Sequence, residues 1–520
     1  MTLALRGLVR PLPRILSGWV APAVAGALAL ITVLVGWRGT DLAAQVFRAD
    51  LFRRYGFVLW NGQWFGGHST LSYSVLTPAL AALAGPVTVA AVSATVAALV
   101  FDRIVVWQFG RRSWLGSLWF AIGTAVNVVV GRVPFALGLA IALVAVLALQ
   151  RGWIFAAITA AVLSTLASPV TGVFVVVAVA AWALSQRAHW VAATGVAVAA
   201  LAPLVATTII FPGGGVFPYE PWAFAVDLVV AAVVAVVAWG RQRTLAVGAV
   251  LFAVIAAAAF AVPSPLGGNI SRFGQFLAGP LLACVLWPRR KLVLGLLVAP
   301  LLCWQWIPAL QTIAAGPPAA ATTRAYYDPV VTEILTRAPL PGRVEVPSTL
   351  GHWESAYVAD RVALARGWER QLDMTYDHVF YDGTLDAATY ESWLRDNGVQ
   401  FVALPDAPLD DFSQPERALL RSGLPYLEPV WQDQHWQLWQ FRDYRGLVDG
   451  PAIVIRQDAL GFTLRVVAPG DVTLRARPSS HWRLDGAGCV ASTPDGWTRL
   501  HDLQARTITV TQAWQGTPCR

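Results

Sequence analysis

Charged residues are scarce in this chain, and their scarcity limits the folds that it can adopt. Asp, Glu, Lys and Arg make up 13% of its 520 residues, whereas soluble globular proteins carry about 25%. The shortage is concentrated in residues 16–313, where long Ala, Val and Leu runs dominate. Such runs exclude an ordinary water-soluble fold and indicate a membrane domain. We therefore expect a polytopic domain over residues 1–315, followed by soluble sequence.

The sequence also lacks the features of several common functional classes. Its formal net charge is +8, but the basic residues are scattered through short loops, and no basic stripe interleaved with aromatic residues is present. Nucleic-acid binding is therefore not expected, because a clustered basic face is its usual footprint. Glycine-rich nucleotide-binding motifs, a zinc ligand set and the Gly-x-Ser-x-Gly nucleophile motif are absent as well. No cofactor is expected, and a divalent metal has no support in the sequence.

Cysteine is also rare, with four residues in the whole chain. Cys284 and Cys303 lie within apolar runs, where a thiol usually acts as a small core side chain. Cys489 and Cys519 lie in the soluble C-terminal part. If that part is outside the cell, the oxidising environment favours a disulfide between them.

What the chain has in abundance is apolar runs of membrane-spanning length. A bilayer core of about 30 Å needs about 20 apolar residues per helix. We expect about eleven spans, near residues 16–37, 75–101, 113–130, 133–150, 153–167, 169–185, 190–211, 222–239, 244–262, 275–287 and 291–313. The step at Ser168-Pro169 is compatible with a tight turn between two spans or with a kink within one.

Basic residues between the spans predict the orientation, because they favour the cytoplasmic side. Arg6, Arg10 and Arg14 precede the first span. Further basic residues fall in alternate loops: Arg103, Arg111, Arg112, Arg151, Arg187, Arg241, Arg243, Arg289, Arg290 and Lys291. An odd number of spans then predicts a cytoplasmic N-terminus and an extracytoplasmic C-terminal region. The first span is expected to stay as an anchor, because bulky Trp37 just after it disfavours signal-peptide cleavage.

The soluble part shows two kinds of pattern. Residues 390–398 are typical of a helix that ends at a glycine, and residues 399–405 of a buried strand, so an α/β unit is expected over residues 316–448. Short alternating strands separated by turns then favour a β-sandwich over residues 449–520. The predicted fold class is a multispanning α-helical membrane protein with an extracytoplasmic α/β plus β-sandwich C-terminal region.

The loop after the first span carries the most informative polar residues. Asp41 lies within about one helical turn of the membrane end, where a carboxylate is costly and tends to be functional when it faces a protein cavity. Asp50 follows nine residues later, so on one continuous helix the two carboxylates would point to roughly opposite faces. The structural alternative is that both are solvated interfacial charges paired with Arg48, Arg53 and Arg54.

This arrangement resembles the GT-C superfamily of polyprenyl-phosphate-sugar-dependent membrane glycosyltransferases. The shared features are an Asp just past the first span, a long first outer loop, many spans and an external C-terminal domain. Similarity to actinobacterial members extends to three segments: Trp60…Gly66-Gly67…Tyr73…Pro78, Gly131-Arg132-Val133-Pro134-Phe135 and Ser168-Pro169-Val170-Thr171-Gly172. The second acidic residue of the Asp-Asp or Asp-Glu pair found in several such families is missing beside Asp41.

The resemblance implies transfer of a sugar from a polyprenyl-phosphate donor to a cell-envelope glycan or lipid acceptor on the outer face of the membrane. It implies a carboxylate general base, for which Asp41 and Asp50 are the candidates. The leaving phosphate needs cationic donors, and Arg272, followed by Arg132, is the candidate because it begins a span on the outer side. The structural alternative for Arg272 is an arginine that extends to the membrane interface. Glu220 is a candidate second acid or a loop-capping residue.

Other polar residues leave further interpretations open. His68 follows a Gly-Gly pair and is a candidate for binding a sugar or a metal, but no second ligand lies at metal-site spacing. In the tail, Trp368-Glu369-Arg370 and His352-Trp353-Glu354 combine aromatic and polar groups, as sugar-contacting surfaces do. The alternative functions are a membrane transporter or lipid flippase, or a non-catalytic glycan-binding assembly partner. The spans are almost free of charge at mid-depth and show no repeat, which weighs against ion-coupled transport.

Overall fold

The computed structural model describes residues 18–186, 189–287, 289–316 and 320–519. Four of the basic residues used to predict the orientation lie outside these ranges: Arg6, Arg10, Arg14 and Arg187.

Helices dominate the N-terminal part of the described chain. They are α1 (Val20–Leu34), α2 (Leu42–Tyr55), α3 (Thr77–Ala84), α4 (Pro86–Phe109), α5 (Trp114–Val130), α6 (Val133–Gln150), α7 (Ile154–Ala167), α8 (Pro169–Ser185), α9 (Trp190–Ile210), α10 (Pro221–Ala238), α11 (Arg243–Ala261), α12 (Ser271–Leu286) and α13 (Lys291–Ala315). Two short strands, β1 (Trp60–Asn61) and β2 (His68–Ser69), pair within the loop between α2 and α3.

The chain is a multispanning α-helical membrane protein. Among the described residues, seven helices are long and apolar enough to cross a membrane, namely α4, α5 with its preceding turn, α6, α9, α10, α11 and α13. Helices α1, α7 and α8 are shorter but also apolar. Large apolar side chains such as Phe155 and Leu292, each 87% exposed, point away from the helix bundle, as a surface in contact with lipid requires. The total of about eleven spans stays a prediction.

Two helix breaks clarify the sequence pattern. The span expected at residues 75–101 is divided into α3 and α4 at Gly85, whose φ of +85° suits glycine, and Pro86 starts the second helix because its ring favours a first helical position. At the second break, Ser168 has extended backbone angles. The step at Ser168-Pro169 is therefore a turn between α7 and α8 and not a kink.

The C-terminal region begins with an α/β unit. Its helices are α14 (Arg324–Arg337), α15 (Glu354–Tyr357), α16 (Arg370–Tyr376), α17 (Ala387–Asp396) and α18 (Gln414–Arg421). Its strands are β3 (Arg343–Glu345), β4 (Val399–Pro405), β5 (Leu427–Gln432) and β6 (Trp436–Phe441). They form one sheet in the order β3-β4-β6-β5, in which only the β3–β4 pair is parallel. Every residue of β4 is buried, which explains why all of them except Gln400 are apolar.

The last part of the chain is a two-layered β structure. Its strands are β7 (Val448–Asp449), β8 (Ala452–Asp458), β9 (Gly461–Val466), β10 (Gly470–Leu474), β11 (Trp482–Leu484), β12 (Cys489–Ser492), β13 (Thr498–Leu503) and β14 (Thr507–Gln512). Two antiparallel sheets, β12-β13-β10-β7 and β11-β14-β9-β8, share one apolar core that includes Leu464, Leu474, Leu500 and Val510. Alternation of inward and outward side chains along each strand produces this core. Cys489 and Cys519 form a disulfide, as predicted.

The loop between α2 and α3 connects both C-terminal units to the membrane part. The amide of Gln63 donates to the Ala359 carbonyl at 2.8 Å. The indole N–H of Trp64 donates to the Ser355 carbonyl at 3.0 Å. Trp60 instead packs on Trp482 of the two-layered β structure, with ring centroids 4.4 Å apart. The loop therefore holds the C-terminal region against one end of the helix bundle.

Candidate functional site

A cavity of about 310 Å³ lies where the helix bundle meets the C-terminal region, and we call it the interface cavity. Its walls come from the loop after β2, the first turns of α6, α8 and α12, the end of α9, and a segment of the C-terminal region around α16. Asp41, Arg132 and Arg272 all line it. The structure thus brings together three predicted site residues that are widely separated in sequence.

Two glycines hold Asp41 in place. Asp41 precedes the first residue of α2, and its backbone N–H donates to the Val130 carbonyl at 2.9 Å. A Cβ atom on Gly39 would lie 2.1 Å from the Val129 oxygen, and one on Gly131 would lie 2.7 Å from the Leu42 nitrogen. These approaches leave no room for a side chain, so the small residues fix the start of α2 against the end of α5.

The two arginines of the cavity have different surroundings. Arg132 Nε lies 3.5 Å from Asp41 Oδ2, with both side chains mostly buried. The Arg272 guanidinium lies over the Phe135 ring, 5.2 Å from its centroid. Within the described part of the chain, Arg272 makes no ion pair and no hydrogen bond through its guanidinium. A half-buried cation that no described carboxylate pairs with is suited to receive an anion.

A second carboxylate in the cavity wall was not among the predicted catalytic residues. Glu369 lines the cavity and forms a buried ion pair with Arg48, each side chain being 6% exposed. The Arg48 guanidinium also stacks on Tyr73, 3.8 Å from its ring centroid. The sequence signal was the aromatic and polar segment containing Trp368 and Glu369, but nothing in it indicated a contact with a residue 321 positions away.

The expected pairing of the loop arginines with Asp41 and Asp50 is therefore correct only in part. Asp50 does pair with Arg53, one turn further along α2, and it is not among the residues that line the interface cavity. Arg48 instead pairs with Glu369, and Arg54 pairs with Asp360. Both of these pairs join α2 to the C-terminal region, which the local sequence could not reveal.

His68 and Glu220 lie outside the lining of the cavity. The buried His68 ring stacks on Trp64, and its Nε2 atom lies 3.6 Å from Glu369 Oε1. Burial lowers the pKa of His68 to about 4, outweighing the opposing effect of Glu369, so the ring is neutral near pH 7. Glu220 is exposed just before α10, and its side chain makes no capping hydrogen bond to that helix.

The cavity does not fit a divalent metal ion. Among the described residues, no group of three or more His, Cys, Asp or Glu side chains is arranged to hold one. Asp41 and Glu369 line the wall, but each has a guanidinium beside it. A hard cation needs several oxygen ligands without a competing cation. We therefore derive no chemical step through a metal.

A second cavity, of about 270 Å³, lies within the helix bundle. Its lining is mostly apolar. The polar residues that line it include four glutamines: Gln108, Gln150, Gln186 and Gln242. None of the described residues that line it carries an ionisable acid or base. The charged groups needed for acid–base chemistry or phosphate binding are thus found in the interface cavity.

Comparison with known proteins shows likeness in structure alone. No family model matches the sequence, and no curated protein matches it. The arabinofuranosyltransferase AftD from mycobacteria is similar, with 14% identity and a TM-score of 0.44 over 97% of this chain and 40% of AftD. This chain thus spans 40% of the length of AftD. ArnT from Cupriavidus metallidurans, solved bound to undecaprenyl phosphate, has 13% identity and a TM-score of 0.39 over 82% of this chain and 98% of ArnT.

Proposed function

We propose that this protein is a GT-C-type glycosyltransferase that moves a sugar from a polyprenyl-phosphate donor to a cell-envelope glycan or lipid acceptor on the outer face of the membrane. The observation that supports the proposal most directly is that Asp41, Arg132 and Arg272 line one cavity at the ends of membrane helices. A base and cations on one wall are what a displacement at a sugar phosphate needs.

The proposed reaction assigns a role to each of these side chains. The Asp41 carboxylate accepts the proton of an acceptor hydroxyl, and the hydroxyl oxygen bonds to the anomeric carbon of the donor sugar. The bond from that carbon to the phosphate oxygen breaks, and polyprenyl phosphate leaves with the electron pair. Arg272 and Arg132 stabilise the negative charge of the leaving phosphate through charge-assisted hydrogen bonds.

The charge and polarity of the cavity support this assignment. Asp41 balances one of the two arginines and Arg48, behind the wall, balances Glu369, so the wall together with Arg48 has an excess of one positive charge for an anionic phosphate. The same cavity has apolar surface from Phe135, Val173 and Leu204. Apolar surface beside a cationic site suits a lipid phosphate better than a free sugar phosphate.

The test is sugar transfer from polyprenyl-phosphate sugars in proteoliposomes. Asp41→Asn keeps the shape of the side chain but removes the proton-accepting charge. We expect it to lower transfer by about 10²–10⁴-fold. Arg272→Ala should weaken binding of polyprenyl phosphate, and Arg272→Lys should restore only part of it, because the planar fork of the guanidinium is lost. Detergent gel filtration would show that each variant is folded.

Asp50→Asn distinguishes the two candidate bases. Asp50 pairs with Arg53 on a partly exposed helix face, and such pairs contribute about 0–1 kcal/mol, so transfer should change little. Full activity of Asp41→Asn together with loss of activity in Asp50→Asn would move the catalytic role to Asp50. Full transfer in both variants would exclude both carboxylates as the base, whereas no transfer by the wild type would contradict the enzyme proposal and favour transport or glycan binding.

A further inference from the structure

The C-terminal region contributes one continuous segment to the interface cavity. Four of its residues line the cavity: Trp368, Glu369, Gln371 and Leu372. Trp368 and Glu369 precede α16, and Gln371 and Leu372 lie in its first turn. Any molecule that fills the cavity therefore contacts both the membrane helices and this segment, which we call the C-terminal wall.

Buried ion pairs hold the two ends of the C-terminal wall. Arg366 precedes the wall and Asp373 follows its lining residues. The Arg366 guanidinium donates to both oxygens of Asp373, at 3.1 and 3.0 Å. It also donates to Glu416 at 3.2 Å. Both Arg366 and Asp373 side chains are at most 5% exposed, so the bidentate pair closes the segment into a short, rigid loop.

The middle of the C-terminal wall is held from the membrane side. The Trp368 indole N–H donates to the Thr40 carbonyl at 3.4 Å, one residue before Asp41. The backbone N–H of Val216, in the loop between α9 and α10, donates to the Gln371 carbonyl at 3.2 Å. The wall thus has a fixed position relative to the proposed base.

The Glu369 carboxylate is only half satisfied by the protein. Its Oε1 atom is the one that Arg48 and His68 contact. Among the described residues, its Oε2 atom has no hydrogen-bond partner, although the residue is 4% exposed. A carboxylate oxygen that no protein donor contacts keeps its capacity to accept a hydrogen bond. A ligand in the cavity can supply the missing donor.

We infer that Trp368 and Glu369 form the subsite for the sugar of the acceptor, with a sugar hydroxyl donating to Glu369 Oε2 and a carbon face of the ring packing on the Trp368 indole. An ionised carboxylate only accepts hydrogen bonds, so it matches hydroxyl donors and repels a phosphate. The donor phosphate is then left to Arg132 and Arg272. This inference rests on the proposed function and names the residues that select the acceptor.

The experiment separates acceptor binding from donor binding in the full-length protein. The probe acceptors are octyl glycosides of common pentoses and hexoses, assayed with polyprenyl-phosphate sugars in proteoliposomes. Binding of polyprenyl phosphate alone is measured in detergent. Glu369→Gln should raise the acceptor KM by about 10–100-fold, the usual effect of losing a hydrogen bond to a charged group. The affinity for polyprenyl phosphate should change by less than about twofold.

Four further variants guard against a purely structural effect. Glu369→Gln leaves Arg48 without its charge partner, so the double variant Arg48→Gln/Glu369→Gln removes the charge pair as a whole, and it should keep the raised acceptor KM. Trp368→Ala should raise the acceptor KM. Trp368→Phe should keep the acceptor KM close to the wild-type value, because an aromatic face remains. Glu333→Gln, at an exposed pair with Arg337, is the matched control and should behave like the wild type.

The outcomes distinguish this inference from the proposed function. If the wild type binds no polyprenyl phosphate and transfers no sugar, the proposed function fails, and the acceptor subsite fails with it. If the wild type binds donor but the KM for acceptor is unchanged in both Glu369 variants, the subsite alone is overturned. A loss of donor affinity in Glu369→Gln, or turnover of donor with no glycoside accepted, would also overturn it.

Discussion

His352 lies between two carboxylates at the edge of the α/β unit and has an unusual backbone angle, φ = +52°. Its Nε2 atom is 3.3 Å from Asp410, and its Nδ1 atom is 3.5 Å from Glu354. Arg370 also donates to Asp410, at 2.7 Å. A non-glycine residue in this region is strained. We infer that the two ion pairs hold His352 in this conformation.

The charge of His352 leads to a pH prediction. Burial alone would lower the pKa of His352, but the hydrogen bonds and charges of Asp410 and Glu354 together raise it to about 9. An unfolded histidine has a pKa of about 6.5. The stabilisation is therefore complete below pH 6.5 and is lost as the pH rises through 9. We expect the free energy of unfolding to fall by on the order of 2 kcal/mol from pH 6.5 to 9.5 through this group.

Unfolding of the purified protein in detergent, followed at both pH values, would measure this loss. In His352→Gln, the free energy of unfolding should decrease less between the two pH values than it does in the wild type. His378→Gln, at an exposed position, is the control and should keep the wild-type pH dependence. Equal pH dependence in the wild type and His352→Gln would contradict the proposed role of the histidine charge.

Single residues also show what the sequence could and could not predict about the site. Asp41 could be proposed from its position, because a carboxylate at a membrane boundary is costly and its place after the first span is a local property. The Arg48–Glu369 pair could not be predicted, since its members meet only after the C-terminal region packs on α2. The local sequence instead suggested Asp41 or Asp50 as the partner of Arg48, because these are the carboxylates near it in the chain.

At the scale of elements, the turn between α5 and α6 supports the site. Gly131 has φ = +89°, and it approaches the backbone of Leu42 so closely that an added Cβ would lie 2.7 Å from its nitrogen. Gly152, at the other end of α6, has φ = +76° but has nothing within 4 Å of such an atom. Both glycines therefore have a left-handed backbone conformation, but only Gly131 packs closely against another segment.

This difference predicts unequal effects of the same substitution. Gly152→Ala should destabilise the protein by about 1–2 kcal/mol, because alanine is strained in the left-handed region, and Gly131→Ala should destabilise it more, because its Cβ would also meet the backbone of Leu42. Only Gly131→Ala should also displace the start of α2 and hence Asp41, and a displacement near 1 Å can lower the rate by about 10²-fold. The measurement is the rate of sugar transfer in proteoliposomes that contain equal amounts of folded protein. Similar transfer rates in the two variants would contradict the positioning role of the turn.

Elements also differ in how well the sequence predicts them. The strand expected at residues 399–405 has the same bounds in the structure as β4, because a glycine and a buried apolar run delimit it locally. The span expected at 75–101 is instead two helices, since hydropathy does not register the backbone break at Gly85. Periodicity thus finds apolar segments well, but it misses breaks that depend on one residue's backbone angles.

At the scale of the whole molecule, the membrane and C-terminal parts share a hydrophobic core. Ala90 and Val133 from the helix bundle belong to the same buried cluster as Tyr327, Val344 and Phe401 from the C-terminal region. The domain boundary expected near residue 315 thus marks a change in amino-acid composition. The apolar core continues across this boundary. A cavity between two parts that pack in this way has a defined shape, which a site built from both parts requires.

The last prediction concerns the orientation of this assembly, with the N-terminus in the cytoplasm and residues 316–520 outside. The reason is that the loops after α4, α6 and α10 carry basic residues, and such loops stay in the cytoplasm. Alkaline phosphatase fused at position 320 should be active, and green fluorescent protein fused at position 110 should fluoresce. Peptide mapping without reduction should also recover Cys489 linked to Cys519, because this disulfide forms in an oxidising compartment. A fluorescent fusion at position 320, or two free thiols, would contradict the orientation and remove the basis for an outer active site.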